Sequence, residues 1–218
     1  MERTGADGAA RLRALVWDMD GTLVDSSTAV PDAYIGAIAR MGGPVLTREA
    51  IIASYSLGPP QIMLGHLLGR RATAADVDEY LAHLRTTVSE ARPYPGVAAT
   101  LERLRDRVGL GVFTGASRPG ALILLEAVGL LRFFRTVVGG DQVEHQKPAP
   151  DGVLRACADL GVEPASAAYV GDSPSDLEAA RKAGALAIGA AWGHLYSAAA
   201  TADLVLYRPE DVLDLLRR

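Results

Sequence analysis

The sequence lacks several features that would place it in a special class of protein. Its 218 residues include a single cysteine, Cys157, so no disulfide can form within the chain. A reducing compartment, the cytoplasm, is therefore the expected location. The first 13 residues contain no apolar stretch of the kind found in a secretory signal. The chain also has no apolar run of about 18 residues, the length that a membrane helix requires, so no membrane association is expected.

An excess of charge of either sign is also missing. The chain has 22 Lys and Arg residues against 26 Asp and Glu residues, a net charge of −4. Such a balance gives no electrostatic reason to expect nucleic acid as a partner. The length allows one domain, or a main domain that carries a smaller inserted one. Monomer and homodimer both remain open.

Short apolar runs alternate with helical patterns along most of the chain. Runs that are apolar on both faces are typical of strands in a parallel sheet covered on both sides. The predicted strands are Ala14–Trp17, Leu110–Phe113, Thr136–Val138, Ala167–Val170, Ala185–Ile188 and a weaker Leu204–Leu206. This order predicts an α/β fold with a doubly wound, Rossmann-like parallel sheet, whose ligands bind at the carboxyl ends of the strands.

One helix of this alternation is predicted from Pro150 to Gly161. Proline favours the first turn of a helix, and glycine favours the position just after its last turn. Its buried stripe is predicted to consist of four side chains: Val153, Leu154, Cys157 and Leu160.

Residues 26–92 interrupt the alternation with four helical patterns and no convincing strand. Thr47 is predicted to cap a short helix, and Thr73 with Asp76 to form the capping box of a longer one. We therefore predict a helical cap domain over residues 26–92, inserted into a core domain made of residues 1–25 and 93–218.

The stretch DMDGT places Asp18 and Asp20 just after the first predicted strand. Gly21 gives the freedom for a turn that lets both carboxylates face one ligand. Mg²⁺ takes oxygen ligands of this kind. Asp18 is then suited to attack phosphorus and form an aspartyl-phosphate, while Asp20 exchanges protons with the leaving alcohol and with water. The alternative is a plain turn, since Asp and Gly both favour turns.

Two further segments could hold a phosphate group. Thr114 and Gly115 follow the second predicted strand, where a hydroxyl and free amides make a phosphate cradle. Lys147 lies in a proline-rich loop and could neutralise both Asp18 and a phosphoryl group. Each segment alone has an ordinary alternative, a turn for Thr114 and a solvated side chain for Lys147.

The stretch VGDSPSD supplies two more carboxylates, Asp172 and Asp176, after the fourth predicted strand. Asp172 is placed to give the metal another oxygen. Asp176 is expected at the third position of a helix, where an acid caps the amide of Ser173 and complements the helix dipole. Capping and metal binding are compatible roles for Asp176.

Together the stretches DMDGT, FTGAS, QKPAP and VGDSPSD resemble the four motifs of the haloacid dehalogenase-like hydrolase superfamily, in their order and spacing. The rest of the chain is similar to the phosphoglycolate phosphatase-like branch with a helical cap. The resemblance implies a phosphatase in which Asp18 is the nucleophile and Asp20 the general acid and base. It implies a Mg²⁺ site formed by Asp18, Asp172, Asp176 and the backbone carbonyl of Asp20.

The resemblance also implies that Thr114 and Lys147 hold the phosphoryl group, with the amides of Met19, Asp20 and Gly115 as further donors. Gly115 departs from the asparagine common in related phosphatases. The segment from Ser54 to Gln61, the expected substrate loop of the cap, contains no Lys or Arg. That absence disfavours a substrate with a carboxylate, unless Arg118 or Arg92 supplies a cation.

Three functions follow from this interpretation. The first is Mg²⁺-dependent hydrolysis of a small phosphate monoester, phosphoglycolate-like or a sugar phosphate. The second is transfer of the phosphoryl group within a sugar, as in a β-phosphoglucomutase. The third is a non-catalytic binding protein on the same fold.

Overall fold

The architecture was obtained as a computed structural model, which describes residues 12–216. Eight strands are present in that range. They are β1 Ala14–Trp17, β2 Val24–Asp25, β3 Arg92–Pro93, β4 Gly109–Phe113, β5 Thr136–Val138, β6 Ala167–Gly171, β7 Leu186–Ala190 and β8 Leu204–Leu206. Six of them form one parallel sheet in the order β5-β4-β1-β6-β7-β8. The predicted α/β fold with a doubly wound parallel sheet is therefore confirmed.

Eight α-helices accompany these strands in the described part of the chain. They are α1 Ala29–Arg40, α2 Arg48–Ala53, α3 Pro60–Leu68, α4 Ala74–Thr87, α5 Val97–Leu104, α6 Arg118–Ala127, α7 Asp151–Leu160 and α8 Pro174–Ala183. Short 3₁₀ turns join several of them, and the last turn covers Pro209–Leu216. None of the helices in residues 12–216 has the length and apolarity needed to cross a bilayer.

The sheet has a central strand whose side chains are all out of contact with water. Residues 14–17 of β1 are at most 1% exposed, because β4 and β6 pair with β1 on its two sides and helices cover both faces. This burial explains the continuous apolar run of β1. The carboxyl end of β1, where Asp18 follows, therefore lies in the middle of the sheet edge.

The helical insert consists of α1 to α4. Helices α1 and α4 pack together through the stacked rings of Tyr34 and Tyr80, whose centroids are 4.1 Å apart. Strands β2 and β3 pair as a two-stranded antiparallel ribbon. One of them precedes the insert in the chain and the other follows it. The division of the chain into two domains at these strands remains a prediction.

Several details of the sequence interpretation need correction. Strand β4 begins one residue earlier than expected, at Gly109, and β6 ends one residue later, at Gly171. Strand β7 runs from Leu186 to Ala190 and so begins one residue later and ends two residues later than expected. Leu154 is 41% exposed and does not belong to the buried stripe of α7. The helix packs against the sheet through Val153, Ala156 and Cys157, and Leu154 is rotated about 100° away from that face.

Candidate active site

The candidate site lies at the carboxyl ends of β1, β4 and β6. These neighbouring strands end at Trp17, Phe113 and Gly171, and the residues that follow them are Asp18, Thr114 and Asp172. Parallel strands bring their carboxyl ends to one edge, so three side chains from distant parts of the sequence converge. All three are buried, with at most 6% exposure.

Three carboxylates form the centre of the site. Oxygen atoms of Asp18, Asp172 and Asp176 lie within 4.8 Å of one another. Asp172 accepts hydrogen bonds from the amide of Leu195 at 2.9 Å and from the Thr22 hydroxyl at 3.4 Å. Asp176 accepts from the amide of Ser173 at 2.9 Å, so the predicted capping box of α8 is present.

Lys147 joins two of these carboxylates. Its Nζ atom is 2.7 Å from Asp18 Oδ1 and 2.7 Å from Asp176 Oδ1. The ammonium also lies 5.0 Å from the ring centroid of Phe113 and 5.4 Å from that of Tyr169. Sequence reasoning expected the contact with Asp18. It missed the contact with Asp176 and the aromatic platform, because neither has a local sequence signal.

The electrostatics of the cluster show an excess of negative charge. Burial, and then the charge of Asp176, raise the pKa of Asp18 well above its usual value although Lys147 opposes the shift. Burial also raises the pKa of Asp172 to about 6. Burial alone would lower the pKa of Lys147, but the charges of Asp176 and Asp18 reverse that effect and raise it. One ammonium therefore does not balance three buried carboxylates.

Asp20 stands apart from the three-carboxylate cluster. Its carboxylate accepts a hydrogen bond from the Ser26 hydroxyl, and burial raises its pKa. The side chain lines the same cavity as Asp18 and Lys147. A contribution of Asp20 to a metal would therefore come from its backbone carbonyl, as the resemblance implies, and this remains a prediction. Ser26 was not identified from the sequence.

The cavity itself has a volume of about 430 Å³ and lies between the sheet edge and the helical insert. Thr114 and Gly115 line it from the core side, and Thr114 Oγ1 accepts a hydrogen bond from the amide of Ala116 at 3.2 Å. The side chain of Met19 is fully buried in the core, so only its backbone is available to a ligand.

Two glycines hold their backbones against Asp172. Gly21 has a φ of 85°, which other residues rarely adopt. A methyl group at either Gly21 or Gly193 would collide with the Asp172 side chain. Gly193 and Leu195 belong to the loop after β7 and were given no role from the sequence, because their contacts with Asp172 join parts of the chain that no local motif connects.

The carboxylate cluster fits a divalent cation. All of its candidate ligands are hard oxygens, which suits Mg²⁺ better than a metal that prefers nitrogen or sulfur. The raised pKa values of Asp18 and Asp172 show that a nearby positive charge would be favourable. Asp18, Asp172 and Asp176 are the residues whose side chains would hold such an ion.

The parallel sheet, the helical insert and the carboxylate cluster at the sheet edge define a capped α/β protein with an acidic site beside its cavity. Residues 15–190 match the family model described as haloacid dehalogenase-like hydrolase. The chain belongs to the haloacid dehalogenase-like hydrolase family. The resemblance inferred from the four motifs is thereby confirmed.

Several relatives are similar over most of this chain. It is 38% identical to the probable phosphatase IndB of Dickeya dadantii over 82% of this chain and 81% of that protein. It is 33% identical to the phosphoglycolate phosphatase of Chromobacterium violaceum over 94% of this chain and 97% of that enzyme. The structure of CbbY from Rhodobacter sphaeroides, solved with phosphate, superposes with a TM-score of 0.82 at 23% identity. That superposition covers 95% of this chain and 100% of CbbY, and it shows a shared fold.

Proposed function

We propose that this protein is a phosphatase that uses Mg²⁺ to hydrolyse a small-molecule phosphate monoester through an aspartyl-phosphate on Asp18. The observation that carries the proposal is that Asp18 and Lys147 line one cavity and are 2.7 Å apart, while carboxylate oxygens of Asp172 and Asp176 lie within 4.8 Å of one of Asp18. The similarity to phosphoglycolate phosphatases supports the same reaction class.

Each residue of the site has a role in the proposed reaction. A carboxylate oxygen of Asp18 forms a bond to phosphorus, and the bond between phosphorus and the ester oxygen breaks. Asp20 gives its proton to the departing alkoxide, and its raised pKa suits a group that must be protonated first. Bound Mg²⁺ would neutralise phosphoryl oxygens and keep Asp18 ionised.

The second half of the reaction returns the site to its starting state. Asp20, now a carboxylate, takes a proton from a water molecule, whose oxygen attacks phosphorus. The bond between phosphorus and the Asp18 oxygen breaks, which releases inorganic phosphate and restores the Asp18 carboxylate. Lys147 and the Thr114 hydroxyl bind the oxygens of the phosphoryl group throughout in this proposal, which their position in the cavity lining supports.

The covalent step can be tested with two variants. For Asp18→Asn we expect phosphate release to fall by at least about a thousandfold, since removing an essential group costs several orders of magnitude. The fold should be retained because Asn has nearly the same shape. For Asp20→Asn with p-nitrophenyl phosphate, whose leaving group needs no proton, the phosphoenzyme should form and then accumulate.

The measurement is intact-protein mass spectrometry after acid quenching, together with inorganic phosphate release. A phosphoryl adduct on Asp20→Asn and none on Asp18→Asn is the expected result. Near-normal phosphate release by Asp18→Asn would contradict the covalent assignment. Products distinguish the remaining alternatives, because a mutase would return an isomerised sugar phosphate, and a binding protein would leave every ester intact.

A further inference from the structure

The side of the cavity formed by the helical insert is apolar and aromatic. The rings of Tyr34, Tyr55 and Tyr80 line it, and Met63 and Val30 complete the wall. The phenol oxygen of Tyr55 is buried and has no hydrogen-bond partner among residues 12–216, so it is free to donate to a bound molecule. Burial raises the pKa of each of these tyrosines, which therefore remain uncharged.

The cavity offers no free cation to an acidic substrate. Lys147 is the one cationic side chain among the described residues that line it, and its ammonium already contacts Asp18 and Asp176. Arg118 is exposed and lines a separate depression on the surface. The Arg92 guanidinium donates to the carbonyls of Ser89 and Ala91. A second anionic group on the substrate would therefore lie unpaired against the aromatic wall, which is unfavourable.

The core side of the cavity, which faces the aromatic wall, has open space beside Gly115. A methyl group placed on Gly115 would meet no atom within 4 Å, so the glycine opens space that a larger side chain would fill. Ala116 and Leu124 line the cavity next to it. A volume of about 430 Å³ lies at the lower end of the range for small-molecule sites, about 300–1,000 Å³.

We infer that the preferred substrate is a phosphate monoester with an uncharged leaving group that contains a ring, packed against Tyr34, Tyr55, Tyr80 and Met63. This inference rests on the proposed phosphatase function, and it identifies the class of ester that the site selects. Aromatic and thioether side chains bind flat apolar rings through their large contact surface.

Three aliphatic esters separate ring recognition from basal catalysis. They are 2-phenylethyl phosphate, ethyl phosphate and phosphoglycolate. The first carries a ring, the second has no further group, and the third carries a carboxylate. With Mg²⁺ present, we expect kcat/KM for 2-phenylethyl phosphate to exceed that for ethyl phosphate by about tenfold or more, because one buried ring contributes that much binding. Phosphoglycolate should be the poorest of the three.

A positive charge placed in the apolar wall of the cavity should shift the preference from 2-phenylethyl phosphate toward phosphoglycolate. Met63→Arg puts a cation into the cavity, and Ile62→Arg adds the same charge to the same helix at a position that is 48% exposed. We expect Met63→Arg to shift the ratio of phosphoglycolate to 2-phenylethyl phosphate by about a hundredfold toward phosphoglycolate, since an ion pair is gained and ring packing is lost. Ile62→Arg should keep the ratio of the unmodified protein.

Tyr55→Ala provides a second variant in case Met63→Arg does not fold, as judged by circular dichroism. It should lower the ratio of 2-phenylethyl phosphate to ethyl phosphate by about fivefold through loss of aromatic surface. The inference is overturned if the unmodified protein hydrolyses all three esters but prefers phosphoglycolate, or if both wall variants leave the ratios unchanged. If none of the esters is hydrolysed, the proposed function itself fails.

Discussion

At the scale of single residues, Tyr169 shows how a side chain outside the cavity lining supports the candidate site. Its hydroxyl donates to the carbonyl of Phe113 at 2.8 Å and contacts Asp176 Oδ1 at 3.2 Å. Its ring lies below the Lys147 ammonium. The residue is completely buried, so these contacts hold Asp176 and Lys147 in place without exposure to solvent.

For Tyr169→Phe we expect the free energy of unfolding to fall by about 1–2 kcal/mol, because buried hydrogen-bond partners lose their donor. Equilibrium unfolding in urea measures the change. The control is Tyr207→Phe at a tyrosine that is 72% exposed, and there the free energy should hardly change. Equal stability of Tyr169→Phe and the unmodified protein would show that the hydroxyl of Tyr169 contributes little to stability.

The identity of the acidic and basic residues and the contact of Lys147 with Asp18 could be predicted from short motifs, whereas the contact of Lys147 with Asp176 could not. Asp18, Thr114 and Asp172 each follow a strand, and a parallel sheet brings such positions together. The bond from Lys147 to Asp176 joins a loop to a helix 29 residues further along the chain, at 2.7 Å. Contacts of this kind depend on how loops pack, and no spacing in the sequence specifies them.

At the scale of elements, the capping box of α4 was predicted and is confirmed. Asp76 accepts from the amide of Thr73 at 2.7 Å, and Thr73 Oγ1 accepts from the amide of Asp76 at 3.3 Å. The Arg70 guanidinium adds two bonds to the same carboxylate, at 2.7 and 2.8 Å. These contacts hold the pKa of Asp76 well below its usual value, and the hydrogen bonds from Arg70 contribute the most to this shift.

This lowered pKa predicts a pH-dependent contribution to stability. The unfolded chain binds a proton at Asp76 near pH 3.9, about the usual value, and the folded protein binds it only at lower pH. The stabilisation is therefore complete above about pH 5 and decreases as the pH falls below about 4. The difference in unfolding free energy between the unmodified protein and Asp76→Asn should be larger at pH 7 than at pH 3.

Urea unfolding at the two pH values measures that difference. Asp78→Asn changes an exposed acid on the same helix and should show no comparable pH dependence. If Asp76→Asn loses the same stability at both pH values, the ionised carboxylate is not the stabilising form.

Element boundaries were less predictable than element types. Strand β7 lies in a run of small residues, where Ala and Gly differ little in apolarity, so no pattern marks its last residue. The end of α7 was easier to predict, because glycine often follows the last turn of a helix, and Gly161 adopts the left-handed conformation there.

At the scale of the whole molecule, the carboxylate cluster joins β1, β6 and α8, so it links distant parts of the fold. Like charges held together oppose folding until a cation neutralises them. For Asp172→Asn we therefore expect a higher melting temperature than that of the unmodified protein when no divalent ion is present. The amide oxygen can still accept the bond from the Leu195 amide, and the amide nitrogen can donate to the Thr22 hydroxyl, which now donates to the other carboxylate oxygen.

Addition of Mg²⁺ should reverse the order of the two melting temperatures, so that the unmodified protein melts at a higher temperature than Asp172→Asn. At a concentration of one hundred times the dissociation constant, binding adds about 2.7 kcal/mol of stability, which corresponds to about 5–10 °C for a chain of this size. Asp172→Asn should lose most of that increase. Asp106→Asn, which changes an acid whose side chain is 86% exposed, serves as the control and should keep it. Differential scanning calorimetry with and without Mg²⁺ measures both effects.

The two sides of the candidate site differ in how well they tolerate substitutions, because Gly21 and Gly193 lie against Asp172 on one side only. Side chains cannot be added at positions 21 and 193 without moving a proposed ligand, whereas Tyr55 and Met63 face open space on the other side of the cavity. Laboratory evolution for new esters should therefore accumulate its substitutions in the insert and leave the sheet edge as it is. The same catalytic residues at the sheet edge could then serve a series of enzymes that differ only in the phosphate ester that their cavity binds.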